Sequence, residues 1–285
     1  MPTPLDDAAR LADTVLFGSP LGTGPTTVRQ DRLRRPVGAL LPPSPASTVS
    51  DASRSRLECL LEGAAEATLR VRLRFLHVRA TTVHDTRGRP VAELVAHGVR
   101  LRPREEGLLR EIDAEFPVAE LCGGRTATFD VPDELAVSPV VGGSLRQRSR
   151  ALTGHLEVSA EPAHLPGDLL RLRLDVVNDT RCPPGADRDT QRRCALVAAH
   201  VLLTVTAGRF VSAAAPPRGA AAAAGQLRCE RPWPVLVGRG DVLLASPIPL
   251  PDCLRPDEDV DDEPGARLVS HPHTTDLELR EPVPS

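Results

Sequence analysis

Several residue types that proteins commonly use for binding are scarce in this chain of 285 residues. Lysine and tyrosine are absent, and the aromatic residues are five Phe and the single Trp233. Binders of single-stranded nucleic acid or sugars usually stack their ligands on aromatic rings, so this scarcity argues against both ligands. The 35 basic residues are all Arg, which fits a G/C-rich coding sequence better than selection for phosphate binding.

Signals for export and membrane insertion are also missing from the sequence. The acidic start Met1–Asp7 lacks the basic residues of a signal peptide, and no apolar h-region follows it. The longest apolar stretch, 195–205, is too short to span a bilayer. The six cysteines contain no C-x-x-C pair. We therefore expect a cytoplasmic protein with reduced thiols, and the net charge of −3 predicts neither nucleic acid nor a membrane as its partner.

Apolar and charged residues alternate most clearly in segments 68–78 and 169–177. A period of two with one apolar face is typical of a half-buried strand. Further strands are predicted at 91–101, 126–131, 155–159 and 195–206, with a hairpin at 233–245. Minor helices are predicted at 5–17, 105–116 and 216–226. Short strands separated by turns predict a mostly β, antiparallel β-sandwich-like fold.

Composition and pattern divide the chain into four predicted regions. These are a flexible N-terminal segment with a short helix (1–56), a first β unit (57–150), a second β unit (151–254) and an acidic, Pro-rich tail (255–285). The two β units resemble each other, because the segments Leu69–Phe75 and Leu170–Val176 follow similar Leu-Glu pairs. This similarity predicts two tandem units. The alternative is that any two Arg-rich amphipathic strands look alike in this composition.

Two rows of Arg form a candidate surface for a partner protein. Arg70, Arg72 and Arg74 are expected about 7 Å apart on one strand face, and Arg171 and Arg173 repeat the pattern. Such rows suit an acidic partner or a phosphate. The alternative interpretation is a water-facing side of a sheet. An unpaired sheet edge is a second way for this fold to hold a partner.

Catalytic and metal-binding motifs are incomplete in the sequence. The run Asp257–Glu263 has carboxylates at EF-hand spacing but lacks the required Gly and the final Glu. Cys182 and Cys194 lack a zinc-finger spacing, and His271-Pro-His273 supplies only two ligands. The motif Gly142–Ser144 lacks the second flanking Gly of a nucleophile elbow. We therefore predict no catalytic residue, no metal and no cofactor.

The alternative function is a metal-dependent or Cys/His hydrolase whose site is assembled by folding from dispersed residues. Its candidate histidines are His77, His84, His97, His155, His164 and His200. Three of these side chains meeting a carboxylate in one pocket would favour the enzyme over the binding protein.

The segments Glu230–Gly238 and Asp241–Leu250 resemble an uncharacterised family of proteins from high-GC bacteria. That family is associated with gene clusters for nickel–iron hydrogenases. The resemblance implies an accessory role in the assembly or maturation of a redox metalloenzyme and supplies no catalytic residues. This chain departs from the family's Pro-Glu-Ser-Pro-Gly continuation at Arg255–Asp259, so a shared C-terminal function does not follow. We expect a non-enzymatic interaction or accessory protein whose partner is another protein.

Overall fold

Antiparallel strands form most of the protein. The computed structural model describes residues 3–17, 27–29, 38–43, 53–63, 66–163, 169–238 and 240–250. The helices are α1 (Pro4–Phe17), α2 (Arg188–Arg193), α3 (Ala221–Ala224) and a 3-10 helix (Val118–Gly123). The strands are β1 (Thr27–Arg29), β2 (Arg54–Gly63), β3 (Thr68–Asp85), β4 (Pro90–Val91), β5 (Leu94–Ala96), β6 (Val99–Leu101), β7 (Arg104–Pro117), β8 (Arg125–Val131), β9 (Glu134–Val140), β10 (Gly143–Ser149), β11 (Leu152–Pro162), β12 (Leu169–Asn178), β13 (Val197–Val205), β14 (Gly208–Val211), β15 (Trp233–Val237) and β16 (Val242–Ser246).

Two large antiparallel sheets contain most of these strands. Sheet 1 has nine strands and runs in the order β1-β7-β3-β13-β16-β15, while β4, β10 and β9 extend it beside the second half of β3. Sheet 2 has five strands in the order β14-β2-β12-β11-β8, and β5 and β6 form a separate hairpin. The prediction of a mostly β, antiparallel, sandwich-like fold is therefore confirmed.

The main core lies between the two sheets. Leu69 and Phe75 of sheet 1 are fully buried and cluster with Leu156 and Leu172 of sheet 2. The rings of Phe75 and Phe129, which come from different sheets, have centroids 6.1 Å apart. Burying a side chain of this size contributes about 1.5–3 kcal/mol, so the apolar face of each alternating segment supplies the energy that holds the sheets together.

Strands from both sides of the predicted boundary at residue 150 mix in both sheets. Strand β2 pairs with β12 in sheet 2, and β3 pairs with β13 in sheet 1. The similar segments Leu69–Phe75 and Leu170–Val176 lie in different sheets and contribute to one shared core. The sheets therefore do not follow the predicted division into two units, because alternation reports one buried face and carries no information about which strand lies alongside.

Segment 105–116, predicted as a helix, is strand β7, and the helix prediction is wrong. Leu108, Leu109 and Ile112 suit one face of a helix, but Leu108, Ile112, Ala114 and Phe116 also suit one face of a strand that Arg110 interrupts. The register of β7 with β3 runs from Arg104 to Pro117. This pairing extends along the whole segment and outweighs its weak local preference for helix.

Three other predicted elements have different outcomes. Segment 91–101 is broken into β4, β5 and β6, because His97 and Gly98 have positive φ and form the β5–β6 turn. The predicted helix 216–226 is reduced to the single turn α3. The predicted hairpin is confirmed as β15 and β16. Their register runs from Trp233 opposite Ser246 to Val237 opposite Val242.

Helix α1 lies on the face of sheet 1 that points away from sheet 2, and it confirms the helix predicted within 1–56. Ala8 and Leu11 are buried and cluster with Leu202 and Leu244, whose neighbours along β13 and β16 face the main core. The helix begins with Thr3 N–H donating to the carboxylate of Asp6 at 2.9 Å, as in a capping box. The predicted tail 255–285 lies outside the described residues.

Candidate interaction surfaces

The first predicted Arg row lies on β3, on the side of sheet 1 that carries helix α1. Arg72 Nε lies 2.7 Å from Asp113 Oδ1, and its Nη1 lies 3.2 Å from Asp6 Oδ1 of α1. Arg70 Nε lies 2.9 Å from Glu115 Oε1. The β7 carboxylates stand directly opposite these Arg residues in the strand register. The row is therefore neutralised within its own sheet and by the helix.

Arg74, the third member of this row, is buried, with 2% of its surface exposed. Its guanidinium donates to Asp13 Oδ1 at 2.8 Å, to Glu111 Oε1 at 2.7 Å and to the carbonyl of Ala9 at 3.1 Å. The ring Nε2 of His200 lies 3.4 Å from Arg74 Nη1. Arg74 thus holds helix α1 on sheet 1 and is not placed to meet an external partner.

The second predicted row, Arg171 and Arg173, lies on β12 in sheet 2, so the two rows do not form one surface. Arg171 Nη2 lies 2.5 Å from Glu58 Oε2, and Arg173 Nε lies 2.8 Å from Asp175 Oδ2. Asp175 also bonds two Arg side chains of β2, at 3.0 and 2.9 Å. Burial acts to raise the pKa of Asp175, but hydrogen bonds from the three Arg residues outweigh it and lower that pKa. The second row therefore belongs to an internal network of ion pairs.

The histidines of the enzymatic alternative occupy separate parts of the fold. Their places are opposite faces of β3 (His77 and His84), the β5–β6 turn (His97), sheet 2 (His155) and the layer under α1 (His200), while His164 lies outside the described residues. Across the described ranges, no group of three or more His, Cys, Asp or Glu side chains is placed to hold a metal ion.

The Gly-Gly-Ser motif forms part of a hairpin. Ser144 lies opposite His84 in the β10–β3 register, but both ring nitrogens of His84 already have partners. Its Nδ1 lies 3.0 Å from the Gly88 carbonyl, and its Nε2 lies 3.0 Å from Thr82 Oγ1. Gly142, with φ of +82°, provides the turn between β9 and β10. The motif therefore makes a tight turn, as its glycines suggest, and not a nucleophile elbow.

The two cysteines that flank the Pro-Pro-Gly loop are neighbours in the fold. Burial, followed by the nearby thiol of Cys182, raises the pKa of Cys194 to about 11. A soft-metal site needs three or four such ligands, and the described residues supply no third ligand here.

Strand β9 (Glu134–Val140) forms an edge of sheet 1 that we call the open edge. Within the described part of the chain its single strand partner is β10. Leu135 and Val137 are 61% and 55% exposed, and Val141, in the turn that follows, is 56% exposed. An uncovered edge strand with exposed apolar side chains is a template for pairing with another strand.

Alternate residues of β9 point their main-chain groups away from β10. Pro139 lies opposite Ser144 in the register and has no N–H, so it fits a position whose main-chain groups face outward. The direction of hydrogen bonding alternates along a strand, so Leu135 and Val137 share this orientation with Pro139. Their N–H and C=O groups therefore lie along the open edge.

Polar groups bound the open edge at its beginning. Arg148 Nη2 lies 3.0 Å from Asp133 Oδ2, and Arg110 Nη2 lies 2.8 Å from Glu134 Oε1. At the other end, Pro139 removes a donor from the edge. The apolar, hydrogen-bonding part of the open edge is thus confined to a short stretch centred on Ala136.

Strand β9 is absent from the strands predicted above, although the sequence contains a signal for it. Leu135 and Val137 alternate with small residues, and Gly142 follows within a few residues as a hairpin turn would require. Pro139 is part of this signal, because a proline inside an alternating segment is characteristic of an edge strand.

The chain matches no known protein-family model, and no characterised protein is significantly similar to it in sequence. None of the helices formed by the described residues has the length and apolar composition needed to cross a lipid bilayer. The fold and its surfaces therefore carry the functional argument.

Proposed function

We propose that this chain is a non-enzymatic protein-interaction protein whose open edge binds an extended strand of another polypeptide chain. The observation that carries the proposal is the exposure of Leu135 and Val137 on a strand whose outer main-chain groups lack a partner among the described residues. Strand addition of this kind draws affinity from the main chain and specificity from alternate side chains.

The chemistry of the open edge specifies the bound strand. It would present N–H and C=O groups to those of Leu135 and Val137, and aliphatic side chains to the exposed faces of the same two residues. Covering each of these side chains fully would contribute about 2 kcal/mol. Because Pro139 interrupts the row of donors, the bound segment needs to match only a few residues, which suits a short exposed strand better than a long one.

The partner we propose is a component of a redox metalloenzyme, such as a nickel–iron hydrogenase, during assembly or maturation. Support for this class of partner comes from the resemblance of Glu230–Gly238 and Asp241–Leu250 to a family associated with hydrogenase gene clusters. The hairpin β15–β16 that contains most of these residues lies elsewhere in sheet 1 from the open edge.

The test is a tagged pull-down from the native host at low salt, with proteomics and metal analysis of the same eluate. We expect one partner protein to co-elute in near-equal amount with the wild-type chain and to be lost with the double variant Leu135→Lys/Val137→Lys. Both positions are exposed, so the double variant should still fold. Trp233→Lys, which replaces a 46% exposed side chain on edge strand β15, is the matched control.

Two results would count against the proposal. Recovery of the chain alone, with a bound metal, would redirect the search to an enzymatic site. Equal recovery of the partner with the wild-type chain and with the double variant would remove the open edge as the binding surface.

A further inference from the structure

We infer that the open edge is occupied by the same strand of a second copy of this chain, giving a two-fold symmetric dimer with a continuous sheet 1. This inference rests on the proposed function, since both use the open edge. It names a second copy of this chain, in place of the metalloenzyme component, as the strand that this edge binds, and the experiments below distinguish the two occupants. Among the residues that the structure describes, β9 has one strand partner, and its side chains are exposed from Glu134 to Pro139. A two-fold axis through such an edge pairs it with itself in antiparallel orientation.

Strand geometry limits the register of this pairing. Residues whose main-chain groups point outward must oppose residues that do the same, and in β9 these are Leu135, Val137 and Pro139. A two-fold axis at Ala136 places Leu135 opposite Val137 of the second copy, and Val137 opposite Leu135. All the hydrogen bonds of these two pairs then fall within β9 and involve residues that have an N–H.

The two neighbouring symmetric registers are poorer. An axis at Val137 places Leu135 opposite Pro139, which has no N–H to donate. An axis at Leu135 places Val137 opposite Asp133, which precedes the strand and already bonds Arg148. The register centred on Ala136 is therefore the one that the sequence of this edge favours.

Side-chain chemistry agrees with the register centred on Ala136. Leu135 and Val137 of the two copies become neighbours, so the apolar centre of the edge is covered by apolar groups. Glu134 lies opposite Ser138, so no like charges oppose each other. The ion pair between Glu134 and Arg110 can remain in place, and the small side chain of Ala136 allows close approach at the axis.

Sedimentation velocity and light scattering of the purified full-length chain test the dimer. We expect a mass of twice 30.5 kDa for the wild-type chain and for Trp233→Lys, and a monomer for Leu135→Lys/Val137→Lys. The two substituted side chains are exposed, so the double variant should keep its β structure. Circular dichroism would verify this.

Cysteine cross-linking tests the register. In a non-hydrogen-bonded pair opposite Cα atoms are about 4.5 Å apart, within disulfide range, so Ala136→Cys should form a reducible dimer. Oxidised glutathione is the oxidant: two thiols become one intermolecular disulfide and two molecules of reduced glutathione are released. Ser138→Cys is the control, because its two copies would lie about 13 Å apart along the strands. The wild-type chain measures the background from native thiols such as the exposed Cys122.

The outcomes of these experiments distinguish the dimer from the proposed function. A wild-type monomer at all concentrations, or a dimer that survives Leu135→Lys/Val137→Lys, would overturn the dimer. Equal cross-linking of Ala136→Cys and Ser138→Cys would overturn the register. If the chain is monomeric but the double variant still loses a co-eluting partner, the proposed function stands without the dimer. If both the dimer and the partner are absent, both proposals fail.

Discussion

At the scale of single residues, the contact between α1 and sheet 1 depends on a buried charge. Arg74 and Asp13 have side chains that are each 3% exposed, and their closest atoms are 2.8 Å apart. Removing Asp13 would leave the buried Arg74 with the partly exposed Glu111 as its one remaining carboxylate partner, which costs more than breaking an exposed pair. The Arg row that we first interpreted as a partner surface therefore has a structural role at this position.

The first prediction concerns this pair. Asp13→Ala should lower the free energy of unfolding by about 3 kcal/mol, because Arg74 would keep Glu111 and the Ala9 carbonyl but lose its carboxylate partner under the helix. Urea denaturation followed by circular dichroism measures the change. Asp7→Ala is the control, since Asp7 pairs with Arg10 at the surface and should cost only a few tenths of a kcal/mol. Equal losses for the two variants would contradict the argument.

A second prediction concerns His200, which is buried beside Arg74. Burial, followed by the positive charge of Arg74, lowers the pKa of His200 from 6.5 to about 3, although the hydrogen bond that its Nδ1–H donates to the Ala198 carbonyl opposes the shift. The unfolded chain thus binds a proton below pH 6.5 that the folded chain does not bind until about pH 3. The contribution of His200 to the free energy of unfolding is therefore complete above pH 6.5, and it is lost as the pH falls below that value.

The free energy of unfolding should fall by about 1.4 kcal/mol for each pH unit below pH 6.5 because of His200. Denaturation at a series of pH values between 7 and 4 measures the slope. His200→Gln should show a shallower slope than the wild-type chain, whatever its absolute stability. His77, whose pKa is lowered mainly by burial, contributes to the slope of both proteins. An unchanged slope in the variant would show that His200 does not titrate in this way.

At the scale of elements, close packing between strands depends on particular glycines. Gly154 in β11 faces Phe129 of β8 and Val177 of β12. A Cβ at Gly154 would lie 2.4 Å from the Val177 carbonyl oxygen and 2.4 Å from Phe129 Cζ. Because one of these atoms belongs to the main chain, the neighbouring strand itself would have to move.

The third prediction is that Gly154→Ala lowers the free energy of unfolding by about 1–3 kcal/mol, as overpacking of a well-filled core does. Thermal or urea denaturation provides the measurement. Gly123→Ala is the matched control, because no described atom lies within 4 Å of the Cβ that it would add. Gly123→Ala should be neutral or slightly stabilising, because alanine lowers the entropy of the unfolded chain, and a loss as large as that of Gly154→Ala would contradict the clash.

Particular elements show what sequence could and could not predict. Segments 68–78 and 169–177 were predicted as strands because alternation is a local signal that survives in any sheet. Segment 105–116 is predicted as a helix because Leu108, Leu109 and Ile112 share one helix face. In the strand Leu108 and Leu109 lie on opposite faces, and only pairing with β3 decides between the two structures. The open edge could not be predicted, because the exposure of Leu135 and Val137 depends on which strands lie beside β9. The residues of β9 alone do not determine those neighbours.

At the scale of the whole molecule, pairing between distant segments makes one folded body of the described residues. The main core combines β3 and β13 of sheet 1 with β2, β11 and β12 of sheet 2. A chain cut between β10 and β11 would separate β2 from β12 and β3 from β13. Each half would then expose the apolar faces that the other half covers.

The fourth prediction follows from this arrangement. Residues 57–150 and 151–254, expressed separately, should each lack cooperative unfolding and dispersed amide resonances, because neither half contains both strands of the central pairs in either sheet. Two tandem units would instead fold alone and give two sets of native resonances. Mixing the halves supplies the decisive comparison. Recovery of a cooperative transition only in the mixture would show that long-range pairing, and not the local alternation that both halves share, determines this fold.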